Sequence, residues 1–191
     1  MNTDVLGQPS GHFGEFHHRS VFSSGEVTEH TWELIRAFVT RVERQDIRMR
    51  FGAQINLRDE PTLRRFFGIT GAGEISWVLD REGSIAGISH RVRSSRSDAE
   101  IALLVRSDLK RRGAGTRMLQ ELIATSCREK LTTLHAVVLR ENKDVIRLAA
   151  KAGFIPKGGG GLSLKLELPL TGERCTCRGK ALKTLVTNAT P

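Results

Sequence analysis

The chain has 191 residues, of which 39% are hydrophobic and 27% are charged, as is typical of one globular domain. No apolar run approaches the roughly 18 residues that a membrane-spanning helix needs, and the N-terminus lacks the features of a secretory signal. We therefore expect a protein of the cytoplasm with no membrane partner. The formal net charge of +9 predicts attraction to anionic partners such as phosphorylated cofactors, acidic proteins or nucleic acid.

The composition divides the chain into three predicted segments. Residues 1–18 are rich in Gly, His and Ser without periodicity and predict a flexible leader. Residues 19–170 carry regular apolar patterns and predict one folded domain. Residues 171–191 predict a basic, mobile tail. This tail lacks interleaved aromatic residues, so we do not expect it to bind nucleic acid by base stacking.

The cysteines favour free thiols over a disulfide framework or a metal site. Cys127 stands alone, while Cys175 and Cys177 lie too close together in the polar tail for a typical disulfide framework. Their spacing also differs from that of common zinc sites. We therefore expect no metal cofactor.

The first half of the chain predicts two helices, a short extended stretch and a hairpin. A helix of about 15 residues begins near Thr28, and residues 47–51 read as extended. A second helix begins at Asp59-Glu60-Pro61, because proline is favoured in a first helical turn. Residues 75–79 and 84–92 predict two strands joined by a turn at residues 80–83.

The second half predicts a passage that alternates strands and helices. The almost uninterrupted apolar run at residues 99–105 is typical of a strand buried on both faces, and residues 134–139 resemble it. A helix follows each of these strands, the second over residues 143–151. Residues 162–168 alternate as an edge or half-exposed strand does. Antiparallel strands combined with this passage indicate an α+β fold.

A glycine turn between the first of these strands and its helix predicts an anion site. In Gly113-Ala114-Gly115-Thr116, the first-turn N–H groups lack intrahelical acceptors and the helix dipole favours negative charge. The glycines let a phosphate approach the backbone, and Lys110, Arg111 and Arg112 add positive charge. The turn fits neither the Walker nor the dinucleotide-binding spacing. On its own, the loop fits a basic loop that packs on glycine better than it fits an anion site.

The order of motifs around this turn resembles the acetyl-CoA-binding core of the GNAT (Gcn5-related N-acetyltransferase) superfamily. Lys110-x-x-Gly113-x-Gly115 follows the strand that ends at Val105, and Asn142 stands eleven residues before Gly153. The resemblance covers about residues 19–170. Lysine stands where the family usually has glutamine or arginine at the start of the loop.

Three segments are most similar to bacterial Pat-type protein lysine acetyltransferases of the stand-alone catalytic kind, namely residues 46–52, 99–105 and 139–143. The resemblance implies acetyl-CoA as co-substrate and a protein lysine as acceptor, with acyl-CoA synthetases as candidate partners. It also implies a mixed, mostly antiparallel sheet flanked by helices, in which the two central strands splay apart. The main chain of Leu103, Leu104 and Val105 would then bind the pantetheine arm. Asn142 would face that arm, and it is equally suited to cap the following helix.

Glu100 is the candidate catalytic base. Only a neutral amine attacks a thioester, so acylation needs a group that accepts the ammonium proton. A lone carboxylate in an apolar strand is expected to be desolvated, which raises its pKa, and the Pat resemblance implies the catalytic glutamate at this position. The alternatives are an ordinary ion pair for Glu100 and Asp98 as the base.

The chain contains no tyrosine. Many members of the superfamily use one to protonate the leaving thiolate, and Ala149 stands at the corresponding position here. Two further functions therefore stay open beside protein lysine acetylation. One is acetylation of a small amine, and the other is a non-catalytic module that senses CoA or associates with nucleic acid.

Overall fold

The computed structural model describes residues 22–24, 27–68 and 73–170. The predicted leader and tail lie outside these residues. The strands are β1 Phe22–Ser24, β2 Gly73–Leu79, β3 Ile85–Arg93, β4 Asp98–Val105, β5 Thr133–Leu139, β6 Ile155–Gly158 and β7 Ser163–Pro169, and the helices are α1 Glu29–Thr40, α2 Arg44–Phe51, α3 Glu60–Phe67, α4 Ala114–Arg128 and α5 Lys143–Ala152. None of the helices in these ranges is long and apolar enough to cross a membrane.

The strands form one seven-stranded sheet in the order β1-β2-β3-β4-β5-β7-β6. All neighbouring pairs are antiparallel except β4 and β5. The parallel pair is short, since it runs only from Asp98 opposite Thr133 to Glu100 opposite His135. Beyond Glu100 the two central strands diverge. The predicted α+β class, with a mostly antiparallel sheet and a central splay, is confirmed.

Side chains that alternate along β4 enter two different cores. Leu104 packs with the core that α1 and α3 form on one face of the sheet. Ala99 and Ile101 point to the other face, where they pack with α4 and α5. Helix α2 packs against β4 and β5 at the splay. The open seam between these two strands is therefore covered by α2 from one side and by α4 and α5 from the other.

Two of the predicted elements differ from the structure. Residues 47–51, predicted as extended, belong to α2, in which Ile47 is the one buried apolar side chain, so the segment lacks a helical apolar stripe. Of the two alternatives predicted for residues 162–168, the half-exposed strand is correct, since β7 is only partly buried, and the edge strand is wrong, because β6 pairs with β7. The turn between them requires glycine at Gly159, whose φ is +134° and where a Cβ would lie 2.4 Å from the carbonyl oxygen of Ser163.

The free-thiol prediction is wrong for Cys127, whose sulfur takes part in a disulfide bond. The other two cysteines of the chain lie outside the described residues. The spacing argument failed because it compared positions along the sequence, whereas a disulfide requires only that two residues be close in space.

Candidate functional site

The divergence of β4 and β5 opens a channel through the sheet. Its walls are apolar side chains from both strands and from α4 and α5, chiefly Ile101, Leu103, Ala136, Val138, Leu148 and Ala149. The channel continues into a groove of about 780 Å³ that reaches the first turn of α4. Leu103, Leu104 and Val105 line this groove, and beyond Glu100 no described strand pairs with this side of β4. The groove therefore offers an unpaired strand edge to an extended ligand.

The glycine turn lies at the outer end of the groove. Gly113 has a φ of +96° and precedes α4, whose N-terminus has no side-chain cap. Gly113, Gly115 and Thr116 line the groove, and Ala114 is buried beneath them. The first-turn amides of α4 can therefore donate hydrogen bonds to an anion.

The predicted cations of the loop differ in their surroundings. The ammonium group of Lys110 contacts the carboxylate of the buried Asp46, which also accepts a hydrogen bond of 2.5 Å from the hydroxyl of Ser107. Arg111 is 80% exposed and lies 3.3 Å from Asp144. Arg112 is exposed as well. Lys110 thus fastens α2 to the loop, whereas the two arginines remain accessible from solvent.

A buried arginine fixes the path of the chain between β4 and the glycine turn. The guanidinium of Arg106 donates hydrogen bonds of 2.9 and 2.8 Å to the two carboxylate oxygens of Asp108, and one of 2.9 Å to Asp80. Asp80 lies in the turn between β2 and β3. The hairpin turn therefore holds the loop that leads into α4.

Asn142 caps a helix and also lines both cavities. Its side-chain oxygen accepts a hydrogen bond of 3.3 Å from the backbone amide of Val145 and caps α5. The same residue lines the channel and the groove. Capping fixes the orientation of the side chain at the point where the two cavities join.

Glu100 lies at the last paired position before the strands diverge. The predicted desolvation of its carboxylate is wrong, since Glu100 is exposed. The reason is its register, because Ala99 and Ile101 point into a core whereas Glu100 points to the opposite face, beside the exposed Val92. A carboxylate at this place is accessible to an amine that approaches from solvent.

Asp98, the alternative base, has a structural role in the turn before β4. Its carboxylate accepts a hydrogen bond of 2.8 Å from the hydroxyl of Ser95. This hydrogen bond holds the pKa of Asp98 below its ordinary value. A lower pKa makes a carboxylate a weaker base.

Sequence reasoning missed a histidine beside Glu100. His135 on β5 is paired with Glu100 on β4, and Glu167 on β7 is paired in turn with His135, so the three residues lie side by side across the sheet. The Nδ1 atom of His135 lies 3.8 Å from the carboxylate of Glu167 and is buried without a hydrogen-bond partner. His135 is the only ionisable residue of β5, and this pattern was a usable signal. No group of three or more His, Cys, Asp or Glu in the described ranges is arranged to hold a metal ion.

Arg50 and His90 were also missed. Arg50, in the last turn of α2, lines both the channel and the groove, and burial lowers its pKa to about 10. His90 packs edge-on against the ring of Phe67, with ring centroids 5.3 Å apart. Burial, aided by the positive charge of Arg50, lowers the pKa of His90 to about 4. At neutral pH this face of the site therefore carries a charged Arg50 and a neutral His90.

The low pKa of His90 predicts a pH-dependent stability. The folded value of about 4 is below the ordinary 6.5, so between these values the unfolded chain binds more protons. The free energy of unfolding should therefore rise with pH across this window, by at most about 1.4 kcal/mol for each unit of pH. We expect His90→Gln to flatten this rise in urea unfolding measured at pH 5 and pH 7. His30, whose side chain is 80% exposed, supplies the control His30→Gln, and equal slopes in both variants would contradict the assignment.

Comparison with known proteins gives a consistent picture. Residues 10–155 match the family model described as acetyltransferase (GNAT) domain. The structure superposes on the GNAT domain of PAT from S. lividans with a TM-score of 0.69 at 20% identity, covering 78% of this chain and 89% of that one. Spermidine N-acetyltransferase from Vibrio cholerae, solved with CoA and spermine, gives a TM-score of 0.63 at 14% identity and coverages of 78% and 95%. The N-acetyltransferase PseH from Campylobacter jejuni, solved with acetyl coenzyme A, gives 0.59 at 20% identity and coverages of 79% and 100%. At these identities, the structural likenesses concern the fold.

Proposed function

The chain belongs to the GNAT acetyltransferase family, and we propose that it transfers the acetyl group of acetyl-CoA to the side-chain amine of a lysine in a protein substrate. One observation carries this proposal. The pairing of β4 with β5 ends at Glu100, so that an exposed carboxylate stands next to the unpaired edge of β4, whose residues from Ile101 onwards line the channel and the groove.

The residues of the groove fit acetyl-CoA. The first-turn amides of α4 at Ala114, Gly115 and Thr116 would bind the pyrophosphate, supported by the exposed Arg111 and Arg112. The free edge of β4 would pair with the pantetheine arm, as an extended ligand adds to a sheet. The acetyl thioester would then reach the apolar channel near Glu100.

Glu100 would act as the general base. Its carboxylate accepts a proton from the incoming ammonium, directly or through one water molecule, and so yields the neutral amine. The amine nitrogen forms a bond to the acetyl carbon while the carbon–sulfur bond breaks. The electron pair of that bond leaves with the sulfur, and the nitrogen gives its second proton to water, so that a neutral amide results.

The face around Glu100 supports a protein acceptor. Glu100 is exposed, and Val92 and Val137, which are 48% and 52% exposed, lie on neighbouring strands. A lysine side chain projecting from another protein can reach such an open face, and the aliphatic part of that side chain can pack on the valines. The likeness to the GNAT domain of PAT favours the same acceptor class.

A small polyamine is the second candidate acceptor. Glu167 follows Glu100 and His135 across the sheet and offers a second carboxylate to a ligand with more than one ammonium group. The likeness to spermidine N-acetyltransferase points in the same direction. Glu167 already contacts Lys157 at 3.4 Å, however, and this ion pair weakens its attraction for a further cation.

An acetyl-transfer assay separates these acceptors. Wild type and Glu100→Gln are incubated with isotopically labelled acetyl-CoA and either a protein lysate or a panel of polyamines, and mass spectrometry locates the label. We expect acetyl-lysine on proteins with wild type only. Label found only in polyamines would show that the acceptor is a polyamine and not a protein lysine. No transfer to either kind of acceptor would support a non-catalytic CoA-binding module.

A further inference from the structure

Arg50 is the only ionisable side chain that lines the channel in the described part of the chain. The other channel-lining residues are apolar apart from Asn142, whose side-chain oxygen is engaged in capping α5. Arg50 also lines the groove, so it lies where the two cavities meet. A ligand that runs from the groove into the channel must pass this guanidinium group.

The guanidinium of Arg50 makes no close ion pair within the described ranges, although the negative charge of the more distant Glu100 acts to raise its pKa. None of their carboxylates lies within 4.0 Å of it, whereas Arg48 on the same helix pairs with Glu141 at 2.6 Å. Its described close contact is with the ring of Phe51, whose centroid is 4.7 Å from the guanidinium carbon. Its pKa of about 10 keeps it charged at neutral pH. A cation that lies beside an apolar channel without a carboxylate in contact is costly, and an anionic group that comes close to it lowers this cost.

A catalytic role for Arg50 rests on the proposed function, acetyl transfer from acetyl-CoA. Breaking a thioester places negative charge first on the carbonyl oxygen and then on the sulfur. The chain has no tyrosine that could donate a proton to this sulfur, and Ala149, which also lines the channel, has no proton to give. We propose that Arg50 is a catalytic residue whose guanidinium group stabilises the charge on the thioester oxygen and on the departing CoA sulfur.

The step balances without a dedicated acid. Glu100 takes one proton from the ammonium group, the nitrogen–carbon bond forms, and the electron pair of the carbon–sulfur bond stays on the sulfur. The nitrogen then loses its second proton to water, which leaves a neutral amide. Arg50 donates hydrogen bonds to this charge and keeps all its protons, as guanidinium groups do in proteins. The thiolate takes a proton from water once CoA is released.

A titration of bound CoA tests the contact without any acceptor. The ultraviolet absorbance of the thiolate gives the pKa of the CoA thiol bound to wild type and to Arg50→Gln. A positive charge within hydrogen-bonding distance lowers the pKa of an acidic group by about 1 to 3, so we expect wild type to bind CoA with a thiol pKa at least about 1 below that in the variant. Equal thiol pKa values in the two proteins would overturn the proposal.

Two further measurements separate catalysis from cofactor binding. Desulfo-CoA, which lacks the sulfur, should bind wild type and Arg50→Gln within about threefold, while kcat of the variant falls by about 100-fold. Arg50→Lys should recover part of this loss. Arg44→Gln removes the same charge from an exposed position of α2 outside both cavities and should match wild type. Weaker binding of desulfo-CoA with an unchanged kcat would instead make Arg50 a binding residue.

The two proposals fail separately. A lowered thiol pKa in a protein that acetylates no lysine would remove the proposed acceptor and leave the role of Arg50 intact. Acetylation of lysine by Arg50→Gln at the wild-type rate would remove the role of Arg50 and leave the proposed acceptor intact. Thermal unfolding of each variant shows whether the fold is retained, and Arg50→Lys supplies a conservative variant if the glutamine variant does not fold.

Discussion

Glu100→Gln is expected to lower kcat for acetyl transfer by at least about 100-fold at neutral pH, because a positioned general base contributes roughly 10² to 10⁴. Glutamine keeps the size and the exposed position of Glu100 but cannot accept the ammonium proton. The affinity for acetyl-CoA should stay within about threefold, since Glu100 lines neither cavity. Initial rates of CoA release, followed with a thiol reagent, and calorimetric binding of acetyl-CoA measure the two quantities.

Raising the pH should partly restore this variant. At higher pH more of the acceptor amine is already neutral in solution, so the rate of acetyl transfer depends less on a base in the protein. Asp98→Asn is the matched control, because Asp98 is also an acidic residue of β4 but binds the hydroxyl of Ser95. It should keep kcat within about threefold. A full loss in Asp98→Asn together with normal turnover in Glu100→Gln would move the base to Asp98.

The sequence predicted those elements of the fold whose apolar pattern is strong. The hairpin β2–β3, strands β4 and β5, and the helices that follow them were all identified, because long apolar runs and clear helical stripes have few alternatives. Helix α2 was missed because it buries only Asp46 and Ile47, and its helical state depends on contacts with β4 and β5. Strand β6 was missed because it is short and every residue in it is exposed.

The site was predicted only as far as it follows local sequence. The glycine turn, the cap at Asn142 and the carboxylate of Glu100 stand in readable local patterns. Arg50, by contrast, enters the site through the packing of α2. His135 lies beside Glu100 through the register of two strands that are distant in sequence. Contacts of this kind join residues that are far apart in the sequence, so a local pattern does not predict them. The exposure of Glu100 was missed for a similar reason, because the register of a strand decides which face of the sheet a side chain reaches.

Gly115→Asp is expected to raise the KM for acetyl-CoA by at least about 100-fold. Gly115 lies in the first turn of α4 and lines the groove, so the new carboxylate would stand where the pyrophosphate is proposed to bind. Two like charges about 4 Å apart near a protein surface repel by roughly 4 kcal/mol, which corresponds to about 1000-fold in affinity. Stability should change little, because the favourable effect of an acidic residue near a helix N-terminus and the poor helix propensity of glycine offset the cost of a carboxylate beside Leu148 and Val105. Steady-state kinetics and urea unfolding test both expectations.

Gly115→Ala separates charge from bulk at this position. A Cβ there would lie 3.4 Å from Leu148 Cδ2 and 3.7 Å from Val105 Cγ2, which are ordinary contacts, so the alanine variant should keep a KM within about fivefold of wild type. A donor without a pyrophosphate, S-acetyl-pantetheine, is the decisive comparison. Wild type and Gly115→Asp should use it equally well, because the repelled group is missing. If the aspartate variant lost activity with both donors, the substitution would have damaged the groove, and phosphate binding by the first turn of α4 would lose its support.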